Sequence, residues 1–492
     1  MVPAMERLPG LRERLDGMEY FAVCGPPETG KTTALMGAAE QLTAEGRFAA
    51  LHVSCLDGRQ WHGNTADAHR AVLGAIQEIS LVRLPAPLRP PAREPPGEEG
   101  LFLGHLSAWA AACPRPVVLF LDDAGALAPG ALGSLLAQLR AGGARRPSGF
   151  PLSIVLCGRR DVLAPERRGD PSSPLAAPLR MGNFTFEQVR ALYVQHTQET
   201  GQAFTAEAIA AAFELTSGQP RLVSVLARDI VEGMGIPATT AITAQHVLEA
   251  RDRLVRQLGE LDGWAIEPGV RRVLQAILAG SAAASTLRRG DLALARARGF
   301  TAPDPPLRIA NPILRERLAR APGLGAQRRM TERPGRFLLP DGRLAFRRML
   351  RAFTVFWRKH GAALVRESVR PDEAPLAVLR AFVARILEGW EEGSLAQVPR
   401  RGPTCHELTL CYTRPDGTTA VQRRLLDVRV WKEGQSDRAR LGTLRLDRNL
   451  PRLGFSRGTL VILDVRGKIG ERPPRFEDIT TPRGYGVLLV HV

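Results

Sequence analysis

The sequence predicts an α/β protein: a parallel sheet covered by helices, a helical region after it, and a second, smaller α/β domain in the C-terminal third. Three observations predict it. Near-continuous apolar runs alternate with helical patterns over residues 19–160, as expected of strands buried on both faces. The first of those runs opens into a Gly-rich turn that leads directly into a helix. Beyond residue 402, strands and turns alternate around one amphipathic segment. The chain has 492 residues, 44% hydrophobic and 24% charged, the profile of a cored protein with three or four domains at roughly 100–200 residues each.

Each element follows from its residues. Glu19-Tyr-Phe-Ala-Val-Cys24 is a short apolar run ending at glycine, and Thr33–Leu42 has helical spacing. Phe48–Val53, Pro116–Leu121 and Leu152–Cys157 are three further strand candidates. Arg83–Gly100 holds six prolines and is expected to be an exposed loop or linker. Phe186–Thr197 and Ala206–Leu215 read as helices, and Arg221–Glu232 follows the breaker Gly218-Gln-Pro220. The expected organisation is a sheet core over 1–170, a helical lid over 171–250, a small domain of short helices over 251–325, a basic linker over 326–342, and the last domain over 343–492.

Composition and charge exclude several classes. No stretch of about 18 apolar residues occurs, so no membrane span and no membrane partner are expected. Met1–Met18 is charged and lacks an apolar signal core, so no secretion signal is read there. Six scattered cysteines without a Cys-x-x-Cys pair fit reduced thiols, a cytoplasmic location and no zinc site. The net charge is +17, and it is segregated. Residues 1–250 carry 22 basic and 25 acidic groups, a net of −3; residues 251–492 carry 45 and 25, a net of +20. A field of one sign on one half favours phosphate backbones, so nucleic acid, DNA in particular, is the expected partner of the second half.

The sharpest motif is Gly25-Pro26-Pro27-Glu28-Thr29-Gly30-Lys31-Thr32, followed by Thr33. It fits G-x-x-x-x-G-K-[ST] between a strand and a helix. Its glycines let backbone N–H groups curl around phosphate oxygens, Lys31 reaches the β- and γ-phosphates, and the Thr32 hydroxyl coordinates magnesium. Val117–Asp123 is an apolar strand ending in two carboxylates. Asp122 is expected in the magnesium shell. Asp123 is expected to orient or deprotonate the attacking water, and as Asp rather than the longer Glu it points to slow hydrolysis. Arg159 and Arg160, after the fourth strand, are candidates to neutralise γ-phosphate charge. The implied cofactors are ATP and Mg²⁺.

On these residues the chain resembles bacterial and archaeal P-loop ATPases of the AAA-like and STAND type. Tyr20-Phe-Ala-Val, Lys31-Thr-Thr33, Leu121-Asp-Asp123 and Ser217-Gly-Gln-Pro220 carry the resemblance, over about residues 19–320. It implies a P-loop NTPase sheet, a helical lid and a winged helix, with Ile309-Ala-Asn-Pro-Ile313 similar to the family's winged-helix end. In that family the Gly-Gln-Pro turn lies near the nucleotide, which places Pro220 there; Pro220 equally suits the first position of a helix. Homo-oligomerisation on ATP binding would let Arg159 or Arg160 act in trans.

Residues 343–465 resemble the nuclease-fold segment attached to some of these ATPases, of the PD-(D/E)XK type. Phe353-Thr-Val-Phe-Trp357, the helix from Glu373 to Glu388, His406–Leu410, Leu426–Val430 and Gly442–Leu463 carry that resemblance. In that fold, carboxylates on adjacent strands bind magnesium and a lysine aligns the water. A period of two puts Asp427 and Arg429 on one sheet face. Glu407 and Glu373 would complete the metal site. Two departures stand out: Glu407 occupies a usual Asp position, and Arg429 a usual Lys position. Arginine stabilises charge but does not trade a proton. The expected function is an ATP-driven switch or motor for a DNA-associated nuclease-like module. The competing readings are a nucleotide-gated scaffold whose C-terminal domain only binds nucleic acid or protein, and a small-molecule phosphotransferase.

Overall fold

A computed structural model describes residues 2–61, 64–92, 100–158, 174–257, 267–278, 287–368, 371–387, 390, 392–398, 405–467 and 469–492. The chain divides into two compact units. The first comprises Met1–Arg251, Ala293–Pro306 and Ala310–Pro312; the second comprises Asp252–Leu292, Leu307–Ile309 and Ile313–Val492.

The first unit is built on a five-stranded sheet of β1 (Phe21–Cys24), β2 (Ala49–Ser54), β3 (Val117–Asp122), β4 (Ser153–Gly158) and β5 (Ala176–Arg180). Its order is β2-β3-β4-β1-β5, and every pairing is parallel. Alternation sends Leu119 and Leu121 to one face and Val118 and Phe120 to the other. Leu119 and Leu121 pack with Ile76, Phe102, Trp109 and Leu135 from the helices Thr65–Arg83, Leu101–Ala112 and Pro129–Gly143. Val118 and Phe120 pack with Leu35, Ala38 and Leu42 of the helix Lys31–Ala44. The four expected strands are all present. The fifth, β5, was not expected: it is an edge strand interrupted by Pro178, with no fully buried residue, and proline is tolerated at an edge.

The proline-rich stretch differs from the expected exposed loop in its first half. Leu84 and Leu88 are buried in the sheet core, and Trp109 Nε1 donates to Leu88 O at 2.9 Å. Two apolar side chains among the prolines are enough to dock it. The helical region contains Phe186–Thr200, Ala206–Thr216 and Pro220–Arg228. Thr185 and Gln188 form a capping box at the first of these, and Thr205 caps the second.

The second unit carries a six-stranded mixed sheet of β6 (Glu392–Gln397), β7 (Cys405–Thr413), β8 (Thr419–Trp431), β9 (Arg457–Asp464), β10 (Arg475–Thr480) and β11 (Gly486–His491), in the order β10-β11-β9-β8-β7-β6. β8 and β9 are parallel, joined through the helix Arg438–Arg452. On one face Leu408, Leu426, Val428 and Val461 pack with Phe353, Trp357 and Phe382 of the helices Phe346–Glu367 and Ala374–Leu387. Ala326 and Phe337, from the stretch read as a linker, belong to this core. On the other face Leu425, Leu460 and Ile462 pack with Leu446 and Leu450. No helix among the described residues is long and apolar enough to cross a membrane.

Candidate functional site

The phosphate loop sits where β1 ends and the helix Lys31–Ala44 begins. Its shape depends on residues that tolerate unusual backbone. Gly30 caps the helix at φ +79°, and Glu28 takes φ +64°, unusual for a residue with a side chain. Gly25 has no room for a side chain: an added Cβ would lie 2.5 Å from Met181 O. Thr29 is 1% exposed, and its hydroxyl donates to Pro26 O at 2.9 Å, closing the loop on itself. Lys31 Nζ donates to Gly25 O at 3.0 Å and Pro26 O at 2.7 Å, so the ammonium lies over the loop. The first backbone N–H groups of the helix have no intrahelical acceptor and form an anion cradle with the loop.

Asp122 ends β3 and is 2% exposed. Burial pushes its carboxyl up, but hydrogen bonds from His52, Thr32, Cys157 and the Asp123 N–H outweigh it and hold the group well below the usual carboxylate range. The His52 Nε2–Oδ2 separation is 3.2 Å and the Asp123 N–Oδ1 separation 2.8 Å. The Thr32 bond joins the loop hydroxyl to the Asp122 carboxylate. Hydroxyl and ionised carboxylate thus lie side by side, which fits a magnesium ion that keeps several waters and takes its remaining oxygens from nucleotide phosphates. Among the described residues no group of three or more His, Cys, Asp or Glu forms a self-sufficient metal site.

Asp123 follows in left-handed backbone at φ +52°, unusual for a residue with a side chain. Ser54 Oγ donates to it at 3.3 Å. Burial and then the neighbouring Asp122 charge raise its carboxyl above the ordinary range, while Ser54 and Lys31 oppose the rise. The two adjacent aspartates are therefore driven in opposite directions, an arrangement that separates a metal-shell role from a proton-accepting one.

Three further features reach the loop. Gln219 Nε2 donates to Glu28 Oε2 at 3.3 Å, and Arg221 pairs with the same carboxylate. Gln219 Oε1 accepts from Asn311 Nδ2 at 3.1 Å. Pro220 occupies the first turn of its helix and also borders the loop, since a Cβ on Gly30 would lie 3.8 Å from Pro220 Cβ. Pro220 thus both begins a helix and borders the loop. Gly218, at φ +68°, lets the Gly-Gln-Pro turn approach Phe184, whose N–H donates to Gly218 O at 2.8 Å.

Arg7 is the largest omission of sequence reasoning. It is 8% exposed. Its guanidinium donates to Thr29 O at 3.0 Å, Gly182 O at 2.7 Å, Asn183 O at 3.2 Å and Gln188 Oε1 at 3.2 Å, and it lies 4.6 Å from the Phe184 ring centroid. One side chain thus ties the phosphate loop to the segment after β5 and to the helix Phe186–Thr200. His52, Ser54 and Cys157 were also missed. Each sits at a strand end where only sheet order brings it beside the aspartates. Arg159 and Arg160 lie outside the described residues.

In the second unit, Asp427 is fully buried, and Arg429 Nη2 donates to its Oδ2 at 3.0 Å. The expected shared face is observed. Glu407 lies on that same face, one pairing step away, because Glu407 pairs with Leu425 and Cys405 pairs with Asp427. Its Oε1 accepts from Arg423 Nε at 2.6 Å. The residue directly across from Asp427 is therefore a cysteine, and Glu407 is engaged by an arginine. Glu373 is exposed in the turn before the helix Ala374–Leu387. Trp357 is a core residue, whereas Trp431 lies between Arg466, 3.5 Å from its ring centroid, and His491, stacked at 5.6 Å.

No protein-family model and no curated protein matches this chain. Some solved structures are similar over part of the chain. A Walker-type ATPase of Pyrococcus abyssi is similar over 65% of this chain and 96% of its own, at 17% identity and a TM-score of 0.44. The RuvB Holliday junction branch migration motor of Thermotoga maritima covers 61% of this chain and 88% of its own, at 16% identity and a TM-score of 0.34. The Orc1 protein of Aeropyrum pernix, solved in complex with DNA, covers 57% and 72%, at 18% identity and a TM-score of 0.37.

Proposed function

We propose that this protein is a magnesium-dependent P-loop ATPase that works as a slow nucleotide-driven switch, with a basic C-terminal unit that engages DNA. The observation that carries the ATPase reading is the meeting of the phosphate loop with two oppositely tuned aspartates. Loop N–H groups and Lys31 hold the phosphates. Thr32 and Asp122 hold the magnesium shell, with Asp122 kept ionised by its four donors. Magnesium, bound with the nucleotide, supplies charge neutralisation at the β- and γ-phosphate oxygens. Asp123, its proton affinity raised, orients the attacking water and accepts its proton. Glu28 gives the loop a mechanical readout: any displacement of the loop by phosphate shifts its pair with Arg221 and Gln219, and through Gln219 reaches Asn311.

The C-terminal unit is read as a nuclease-like module that binds without cutting. The pairs Asp427–Arg429 and Glu407–Arg423 favour that reading over a metal-bound catalytic centre. Two assays test the proposal. ATP turnover by the full chain is expected to vanish in Lys31→Ala and to fall about 10²–10⁴-fold in Asp123→Asn, with nucleotide binding kept only in the second; unchanged turnover in purified Lys31→Ala sinks the ATPase assignment. Plasmid DNA with Mg²⁺ or Mn²⁺, with and without ATP, is expected to stay intact. Cleavage that disappears in Asp427→Ala would instead make the module an active nuclease.

A further inference from the structure

The helix Arg438–Arg452 crosses from β8 to β9 with one side pressed on the sheet. Gly442, Leu446, Asn449 and Leu450 are buried beneath it. Gly442 fixes its rotation, because an added Cβ would lie 2.6 Å from Leu460 Cδ1. At 100° per residue, the exposed residues Arg440, Leu441, Leu444, Arg448, Pro451 and Arg452 all fall within about a third of the circumference. Arg440, Arg448 and Arg452 stand on that strip, and among the described residues none of the three is in an ion pair. At about 1.5 Å per residue they span about 18 Å.

A row of like charges outside any ion pair, eased only at Arg448 by the neighbouring Asp447, is unfavourable in the isolated protein and is relieved by a polyanion. Double-stranded DNA offers one phosphate per about 3.4 Å of axis on each strand, so 18 Å faces about five phosphates of one strand. Guanidinium groups suit phosphate oxygens through paired donors. We infer that the outer face of the helix Arg438–Arg452 is a docking surface for the sugar–phosphate backbone of duplex DNA, with Arg440, Arg448 and Arg452 as the phosphate contacts. This rests on the DNA-engaging reading of the C-terminal unit and assigns the surface that performs it. The contact is non-specific in sequence, because nothing in it reads base edges.

The test is fluorescence anisotropy of the full chain on labelled duplex DNA across a NaCl series. Arg440→Gln/Arg448→Gln/Arg452→Gln is expected to reduce the log–log salt slope by about 2.7 and to weaken binding on the order of 100-fold at about 0.1 M salt. ATP turnover, retained in the triple variant, reports intact folding of the first unit, and circular dichroism reports the second. The triple Lys variant is expected to keep the slope. Leu441→Gln/Leu444→Gln is expected to keep DNA affinity within about twofold, since those side chains face no phosphate oxygen acceptor. If wild type binds and the triple Gln variant binds equally, the inference fails while the DNA reading stands. If wild type binds no duplex at low salt, the DNA reading itself fails. Binding to phosphatidylserine vesicles that is lost in the leucine variant, with no DNA effect in the arginine variant, would overturn the assignment in favour of a membrane face.

Discussion

Truncating Arg7 to alanine tests whether the phosphate loop is held from outside. Four acceptors lose their donor: Thr29 O, Gly182 O, Asn183 O and Gln188 Oε1. The Thr29 bond is buried, and stranding such an acceptor costs about 1–3 kcal/mol. The others lie nearer solvent and are partly rehydrated, so they add less. Loss of the contact with Phe184 adds about 0.5–2 kcal/mol. A credit runs the other way. Burial lowers the Arg7 pKa, so the desolvated guanidinium is itself costly, and its removal returns part of the loss. The net expectation is about 2–4 kcal/mol off the stability of the first unit. Nucleotide affinity should fall about tenfold if about 1.4 kcal/mol of that loss is the ordering of the loop. Arg7→Lys keeps the charge but not the planar fork and should recover less than half. Pulse proteolysis in urea gives the stability, and titration with a fluorescent ATP analogue gives the affinity. A variant within about 0.5 kcal/mol of wild type with unchanged affinity would refute the clamp.

Two other perturbations have signs fixed by the geometry. Gly25→Ala places a Cβ 2.5 Å from Met181 O; it should cost about 1–3 kcal/mol and abolish nucleotide binding. Gly133→Ala, with nothing within 4 Å, should gain up to about 1 kcal/mol and leave turnover alone; equal effects in a thermal-shift comparison would show that space at Gly25 is not the constraint. Asp123 is raised in the fold, so the native state holds its proton more tightly than the unfolded chain does. Its contribution to stability is therefore lost as pH rises through that range, and the ionised group is a liability at neutral pH. Asp123→Asn should stabilise the first unit at neutral pH, the gain shrinking as pH falls, while hydrolysis drops about 10²–10⁴-fold. Asp122 is lowered and behaves oppositely, its contribution being lost only as pH falls through its folded pKa. A destabilised Asp123→Asn at neutral pH would contradict the assigned direction.

The limits of the sequence follow from which contacts are local. A strand, a Gly-rich turn and a helix are contiguous, so the phosphate loop and the β3 aspartates were legible at once. Their supporting groups were not. His52, Ser54 and Cys157 meet Asp122 and Asp123 because β2 and β4 flank β3, and sheet order is not written in any one strand. Arg7 lies 22 residues from the carbonyl it holds, in a segment whose only sequence feature was its charge. In the second unit the period of two correctly placed Asp427 and Arg429 together, since that depends on one strand. Where Glu407 falls relative to Asp427 depends on two strands. A register in which Glu407 lay opposite Asp427 would have set two carboxylates side by side; the observed one sets Cys405 there and leaves Glu407 to Arg423. A two-residue offset between neighbouring strands thus sets a cysteine, not a second carboxylate, directly across from Asp427. The arginine at position 429 is a permanently charged partner that holds Asp427 in a pair and accepts no proton from water.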